Sequence, residues 1–205
     1  AVLTVLAALI LGTLHRVGAS RLTGTSLYLA RIGYAVPGGV IAVGLLVPFA
    51  AFDNALDAWM QATFDVSTGL LFTGSIWLLI AAYLIRFLAA AIGAYEGGIA
   101  SVAPNMDAAA RTLGQDIPGL VRRVHMPLLS TSLLTAGLIV FVDVMKELPA
   151  TLIMRPFNYD TLAVQAYRLA SDERLEGAAV PSLVIAAIGL IPVILLCRKI
   201  GTGRA

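Results

Sequence analysis

Five apolar runs, separated by polar segments, dominate the pattern along the chain. The first, residues 1–14, is followed by HRVGASRLTG. The second, 34–52, carries Pro37, Gly38 and Gly39 near its start, residues that membrane helices tolerate where neighbouring helices cover the loosened backbone. An acidic stretch, 53–69, comes next, with Asp53, Asp57 and Asp65 and no basic residue. The third run covers 70–94 and contains Arg86, the fourth covers 128–144 and the fifth 181–196. Several approach the roughly 20 apolar residues that a helix needs to cross a bilayer. The first is short for that length. It reads as the tail of a helix that starts before Ala1, and it lacks the basic leader and small-residue cleavage site of a signal peptide. The pattern predicts an all-α polytopic membrane bundle of about five transmembrane helices, with one membrane domain over 1–205 and no internal repeat.

Composition supports the bilayer as the chain's surroundings. Of 205 residues, 59% are hydrophobic and 13% charged, against roughly 45–50% and about 25% in soluble domains. The net charge of +2 is small and dispersed, which gives no footprint for nucleic acid. A lone cysteine, Cys197, excludes a disulfide framework or cysteine metal site within one chain and reads as a lipid-facing bystander. Basic residues favour the cytoplasmic side of a membrane. Alternating the loops across five crossings puts Arg16, Arg21, Arg111, Arg122, Arg123, Arg198, Lys199 and Arg204 on one side. The acidic 53–68 segment and the mixed 146–180 segment fall on the other. The 96–127 segment and the C terminus are therefore expected in the cytoplasm, with Trp59 and Trp77 in the outer aromatic belt.

The most polar long stretch, DAAARTLGQDIPGLVRRVHMP (107–127), belongs to a loop of roughly 30 residues, and long ordered loops tend to be functional. Asn105 is an expected N-cap for the alanine-rich helix that follows. Gly114 allows a turn at positive φ. Asp116 is placed to cap a second short helix with Pro118 in its first turn. That helix presents Ile117, Leu120, Val121 and Val124 at helical spacing, with Arg122 and Arg123 beside them. An interfacial helix that lies on anionic lipid and a helix that docks on a partner protein fit these features equally.

Residue order distinguishes the two. Ala109, Ala110 and Gly114, followed after nine residues by Val124, Met126 and Pro127, resemble the EAA-x3-G-x9-I-x-L-P loop of binding-protein-dependent (type I) ABC importer permeases. The resemblance implies that 96–127 is a cytoplasmic coupling loop that docks into a cleft on a separate ABC ATPase subunit. Its site residues on this chain are Asp107, Ala108, Ala109, Ala110, Arg111, Gly114, Arg122, Arg123, Val124, Met126 and Pro127. Ala108 stands where the motif has glutamate, and Val124 and Met126 replace its Ile and Leu. Either Asp107 supplies the missing polar contact to the ATPase, or Arg111, Arg122 and Arg123 carry the electrostatics alone.

Charges inside apolar runs are costly and point to function by default. Arg86 lies towards the cytoplasmic end of its run and is expected to snorkel as an anchor. Asp143, Lys146 and Glu147 have the spacing of one helical face, with Pro149 ending the helix. They read either as a salt bridge at the outer interface or as a polar lining of a transport path. The blocks 141–163 (FVDVMKELPATLIMRPFNYDTLA) and 170–183, with YAVPGGVIAVGLLVP at 34–48, resemble the C-terminal half of ferric iron importer permeases. That resemblance covers about residues 30–196. It implies ferric iron as the solute, a periplasmic binding protein that delivers it, and a second permease half, so that this chain is a fragment of a longer permease. Thiamine, sulfate or a polyamine on the same machinery, and a membrane scaffold without transport, are the alternatives.

The residues do not support a metal site on this chain. His15 and His125 fall on the cytoplasmic side, Tyr167 is isolated, and Tyr159 with Asp160 and Asn158 reads as a turn. No G-x-x-x-x-G-K-[ST] loop is present, so the chain is expected to bind no cofactor itself, ATP being used by the partner. Ser130 and Ser132 read as helix-packing residues. Gly177 and Pro181 are expected to break an amphipathic stretch before the last span.

Overall fold

The computed structural model describes residues 1–202, with side chains as far as residue 194. The side chains of Cys197, Arg198 and Lys199, and all of Arg204, lie outside the described residues. Among those described, the regular structure is helical throughout, with no strand. The helices are α1 (Val2–Val17), α2 (Arg21–Ile32), α3 (Gly38–Phe64), α4 (Ile76–Ile99), α5 (Pro104–Thr112), α6 (Ile117–Leu120), α7 (Met126–Met145), α8 (Pro149–Met154), α9 (Leu162–Ser171) and α10 (Leu175–Thr202). A π-helical turn, Val121–His125, joins α6 to α7 without a break. Four helical stretches are long and apolar enough to cross a membrane: Gly38–Phe64, Ile76–Ile99, Ile117–Met145 and Leu175–Ile194. At 16 residues α1 is apolar but shorter. Only 17% to 33% of each spanning window is buried, so apolar faces such as Val47, Trp77 and Leu183 point outward and require apolar surroundings.

The chain forms two compact units. Unit 1 comprises Ala1–Ala35, Phe87–Asp143 and the described residues from Leu196. Its core is Leu9, Tyr95, Val102 and Leu129, with Ile99, Val121 and Leu133 around them. Glycines admit the closest approaches. A Cβ on Gly12 collides with the Tyr95 ring, and one on Gly98 collides with Ser132; Ser132 is thus a packing residue. The segment after α1, expected as a polar loop, instead forms α2. Ser20 caps it reciprocally with Thr23, each side chain meeting the other's backbone N–H.

Unit 2 comprises Val36–Arg86 and Val144–Leu195. Ile41, Ala42, Leu78, Leu79, Ala82, Ala150 and Met154 make its core, with α8 lying against α3. The expected acidic loop at 53–69 is corrected, because α3 continues through Asp53 and Asp57 to Phe64. These aspartates receive the backbone of the following segment. Fully buried Asp53 accepts the N–H groups of Phe72 and Thr73, and Asp57 accepts those of Thr68 and Gly69 and the Ser67 hydroxyl. The break before the last span is also displaced. α10 starts at Leu175 and continues through Gly177 and Pro181. The chain turns earlier, at Glu173 with φ +59°, and a Cβ added to Gly177 would meet the Leu169 side chain at 3.5 Å, an ordinary van der Waals distance.

Candidate functional site

The polar segment of unit 1 is built from two short helices around one glycine. α5 begins with Pro104 at its first turn behind Ala103, not with an Asn105 cap; proline fits there because that N–H has no helical partner. Asp107 falls in the first turn, where the helix dipole favours a negative charge. Gly114 then takes φ +77°, and a Cβ added to it would meet no atom within 4 Å, so its requirement is conformational rather than steric. Asp116 caps α6, its Oδ1 accepting the Gly119 N–H at 2.8 Å.

The route from α6 into α7 differs from the expected loop and separate span. Pro127 lacks the N–H that an α-helix needs and crowds the carbonyl four residues back. The backbone passes through the π-helical turn immediately before it and continues as α7, an accommodation typical of such turns. Arg122 and Arg123 are exposed, Val121 and Val124 are half-buried, and Leu120 and His125 are fully buried. Ala108, Ala109, Arg111, Met126 and Pro127 are exposed, whereas Ala110 is buried. A cavity of about 370 Å³ beside α5 is lined by Arg16, Val17, Pro104, Asp107, Ala108 and Arg111.

Asp107 does not point outward. Its Oδ2 accepts Arg16 Nε at 2.5 Å and its Oδ1 lies 3.0 Å from His125 Nε2. Arg16 also donates to the carbonyls of Ile99 at 3.0 Å and Val102 at 2.7 Å. Behind the imidazole, His125 Nδ1 lies 3.2 Å from Thr13 Oγ1, itself 3.3 Å from the Tyr95 hydroxyl. One proton arrangement satisfies every group: Tyr95 donates to Thr13, Thr13 to His125 Nδ1, and His125 Nε2–H to Asp107. The carboxylate ends a chain of donors. Burial alone raises the Asp107 pKa, but the hydrogen bonds from Arg16 and His125 and the charge of Arg16 outweigh it and hold the carboxyl below its ordinary value.

The second set of candidate residues is arranged differently from the expected single helical face. α7 ends at Met145, so Lys146 and Glu147 lie past it, and Pro149 starts α8 instead of ending α7. Asp143, which ends the middle segment of unit 1, is buried, and Lys146 is exposed. Arg86 does not snorkel: its Nε lies 3.2 Å from Glu147 Oε2. Glu147 is 5% exposed, and its Oε1 accepts the Ala150 N–H at 3.1 Å. Gly38 lets the pair close, since a Cβ there meets both charged groups. Thr151 donates to the Glu147 carbonyl and meets the Tyr83 hydroxyl at 2.5 Å. Asn158, at φ +61°, and the Tyr159 N–H bond to Pro156 form the expected turn, with Asp160 paired to Arg155 and Arg168. Among the described residues, no group of three or more His, Cys, Asp or Glu side chains is placed to hold a metal ion.

No family model matches the chain. Curated relatives do. It is 27% identical over 163 residues to the Fe(3+)-transport system permease protein FbpB 2 of Haemophilus influenzae, covering 80% of this chain and 29% of that protein. It is 29% identical over 172 residues to the ABC transporter permease protein y4fN of Sinorhizobium fredii, covering 82% and 28%. A third relative, from Salmonella typhimurium, carries the name of a 2-aminoethylphosphonate transport system permease protein, PhnV; identity is 24%, covering 77% and 53%. The chain is a homologue of ABC transporter permeases.

This permease homologue spans less than a third of the first two relatives and about half of the third. Its all-α, multi-pass architecture is the one the apolar runs imply. Sequence reasoning singled out Asp107, Gly114 and Asp116 but missed Arg16 and His125 as partners of Asp107, and Thr13 and Tyr95 behind His125. The direct partners of Asp107 lie 18 and 91 residues away, and no local spacing announces them.

Proposed function

We propose that the chain is the transmembrane permease part of an ABC importer, with 96–127 as its cytoplasmic coupling segment and ferric iron as its solute. The observation that carries the reading is the α5–Gly114–α6 element, two short helices held on unit 1 with Arg111, Arg122, Arg123 and Leu113 outward. Such an element gives a motor protein something rigid to move. The excess of basic residues in this segment supports a cytoplasmic position. ATP-driven closure of two separate ATPase subunits then pulls the segment and alternates the pathway between the faces of the inner membrane. A periplasmic binding protein delivers the solute, and a second permease half completes the pore. Nucleotide chemistry belongs to the ATPase. For coupling to exist, each ligand must bind the two states with different free energy.

Ferric iron is favoured over the other solutes by the KELPATL block at 146–152 and by the relative named for Fe(3+) transport. Asp143, Lys146, Glu147 and Pro149 are assigned to the path, with Glu147 and Arg86 fixing the start of α8. The test uses the complete permease with its ATPase and binding protein in proteoliposomes, alongside its Gly114→Pro variant. ATP-dependent uptake of radioactive ferric iron that is lost in the assembled variant supports both solute and coupling segment. If iron stays outside while a binding protein loaded with 2-aminoethylphosphonate stimulates ATP hydrolysis, the iron assignment falls and the importer stands.

A further inference from the structure

We infer that Asp107 is a positioning residue: with Arg16 and His125 it clamps α5 to α1 and α7, so that movement of the coupling segment is passed to the membrane helices. The inference rests on the coupling role proposed above, and it assigns Asp107 a task other than contact with the motor. Geometry carries it. Both carboxylate oxygens are engaged inside unit 1, Oδ2 with Arg16 Nε at 2.5 Å and Oδ1 with His125 Nε2 at 3.0 Å, and the side chain is 13% exposed. Each oxygen keeps a second lone pair, but with the side chain turned into unit 1 and 13% exposed these face little that an external partner can reach. Ala108, one position later and outward-facing, occupies the outer position with a methyl group.

The clamp joins three elements from distant parts of the chain. Arg16 lies in the last turn of α1 and spends its other nitrogens on the carbonyls of Ile99 and Val102, which flank the exit from α4. His125 closes the π-helical turn at the start of α7, is fully buried, and is backed by Thr13 and Tyr95. Charge-assisted hydrogen bonds are short and directional, and a buried network with each member satisfied is rigid. A push on α5 therefore reaches α1 and α7 together, while Gly114 leaves α6 its own orientation.

The test is run on the complete transporter in proteoliposomes, with Cys197→Ser as the parent background. Asp107→Asn is expected to retain the ATPase subunits on purification and to hydrolyse ATP. Solute moved per ATP is expected to fall about tenfold, the change expected from losing one charge-assisted hydrogen bond of the clamp. In Arg16→Cys with Asp107→Cys, a short thiol-to-thiol linker is expected to restore that ratio without restoring any charge, which a contact with the motor does not predict. An unchanged ratio in Asp107→Asn overturns the inference, as does loss of the ATPase on purification with no rescue by the linker. A spin label at Met106 in the permease alone reads the clamp separately and is expected to become more mobile in Asp107→Asn. If the label loosens while the parent imports nothing with any loaded binding protein, the importer reading fails and the coupling role fails with it. If the parent imports and the label does not loosen, only the clamp fails.

Discussion

Asp107 and Gly38 show how single residues hold polar groups in a chain that is mostly apolar. Asp107 is ionised against Arg16 and His125, with its carboxyl held below its ordinary value despite burial. The unfolded chain therefore binds more protons than the folded one across the interval between the two values, and stability rises with pH there. The contribution is complete above roughly pH 4, the ordinary carboxylate value, and is lost as pH falls through the lower folded value. Thermal unfolding of the parent and Asp107→Asn in detergent is expected to differ at neutral pH and to converge in acid below that point. A difference that persists unchanged in acid contradicts the assignment. Gly38 makes a steric prediction. Its missing Cβ is the space in which Arg86 and Glu147 meet, so Gly38→Ala must displace a buried ion pair, at a cost of about 1–3 kcal/mol for overpacking alone. Gly44, in the same helix, has nothing within 4 Å of its Cβ position, so Gly44→Ala is expected to be neutral or to stabilise by roughly 0.5–1 kcal/mol. Melting midpoints of the two variants check the contrast.

Among the elements, the α5–α6 connection depends most narrowly on one backbone conformation. Gly114 at φ +77° lies in open space, so substitutions act through the backbone rather than through contacts. Left-handed geometry costs an L-residue roughly 1–2 kcal/mol, and least for asparagine. Transport is expected to fall in the order Gly, Asn, Ala, Val at position 114, measured as uptake per ATP in proteoliposomes; Val equal to Asn refutes the conformational account. This turn was legible in the sequence because glycine, the Asp116 cap and Pro118 are local signals, and so were the apolar cores of the spans. The end of α3 and the start of α7 were not. Aspartate is ordinarily a loop or cap signal, and Asp53 and Asp57 mislead because they perform that task for residues 67–73 from inside a helix. Pro127 likewise reads as a helix start, since nothing local shows that a π-helical turn carries the preceding residues into the same helix. Asp107 lies one residue before the motif's glutamate position, Ala108, and its direction was not legible because it depends on Arg16, 91 residues earlier.

At the scale of the whole molecule, the importer reading requires that the basic coupling segment and the loop after α3 lie on opposite faces of the membrane. Only α4 separates them in the chain, and Ile76–Ile99 is long and apolar enough to cross. The loop between α8 and α9 is separated from the coupling segment by one further apolar stretch, Ile117–Met145, and the same reading requires it on the face of the α3–α4 loop. Charge agrees with this order: Arg111, Arg122 and Arg123 lie between the two apolar runs, and Asp65 lies beyond α3. Exposed residues suited to labelling occur in all three places, Val66 at 51%, Leu113 at 80% and Phe157 at 94%. Single cysteines at these positions, in a Cys197→Ser background, report the side directly through a thiol reagent that does not cross the bilayer. In intact cells with the outer membrane permeabilised, positions 66 and 157 are expected to react and position 113 to be protected; in inside-out vesicles the pattern reverses. If 66 and 113 react from the same side, α4 does not cross and the lever has no membrane to act across. If all three sides are inverted, the helices cross but the basic segment faces away from ATP, and a cytoplasmic ATPase cannot be what docks there.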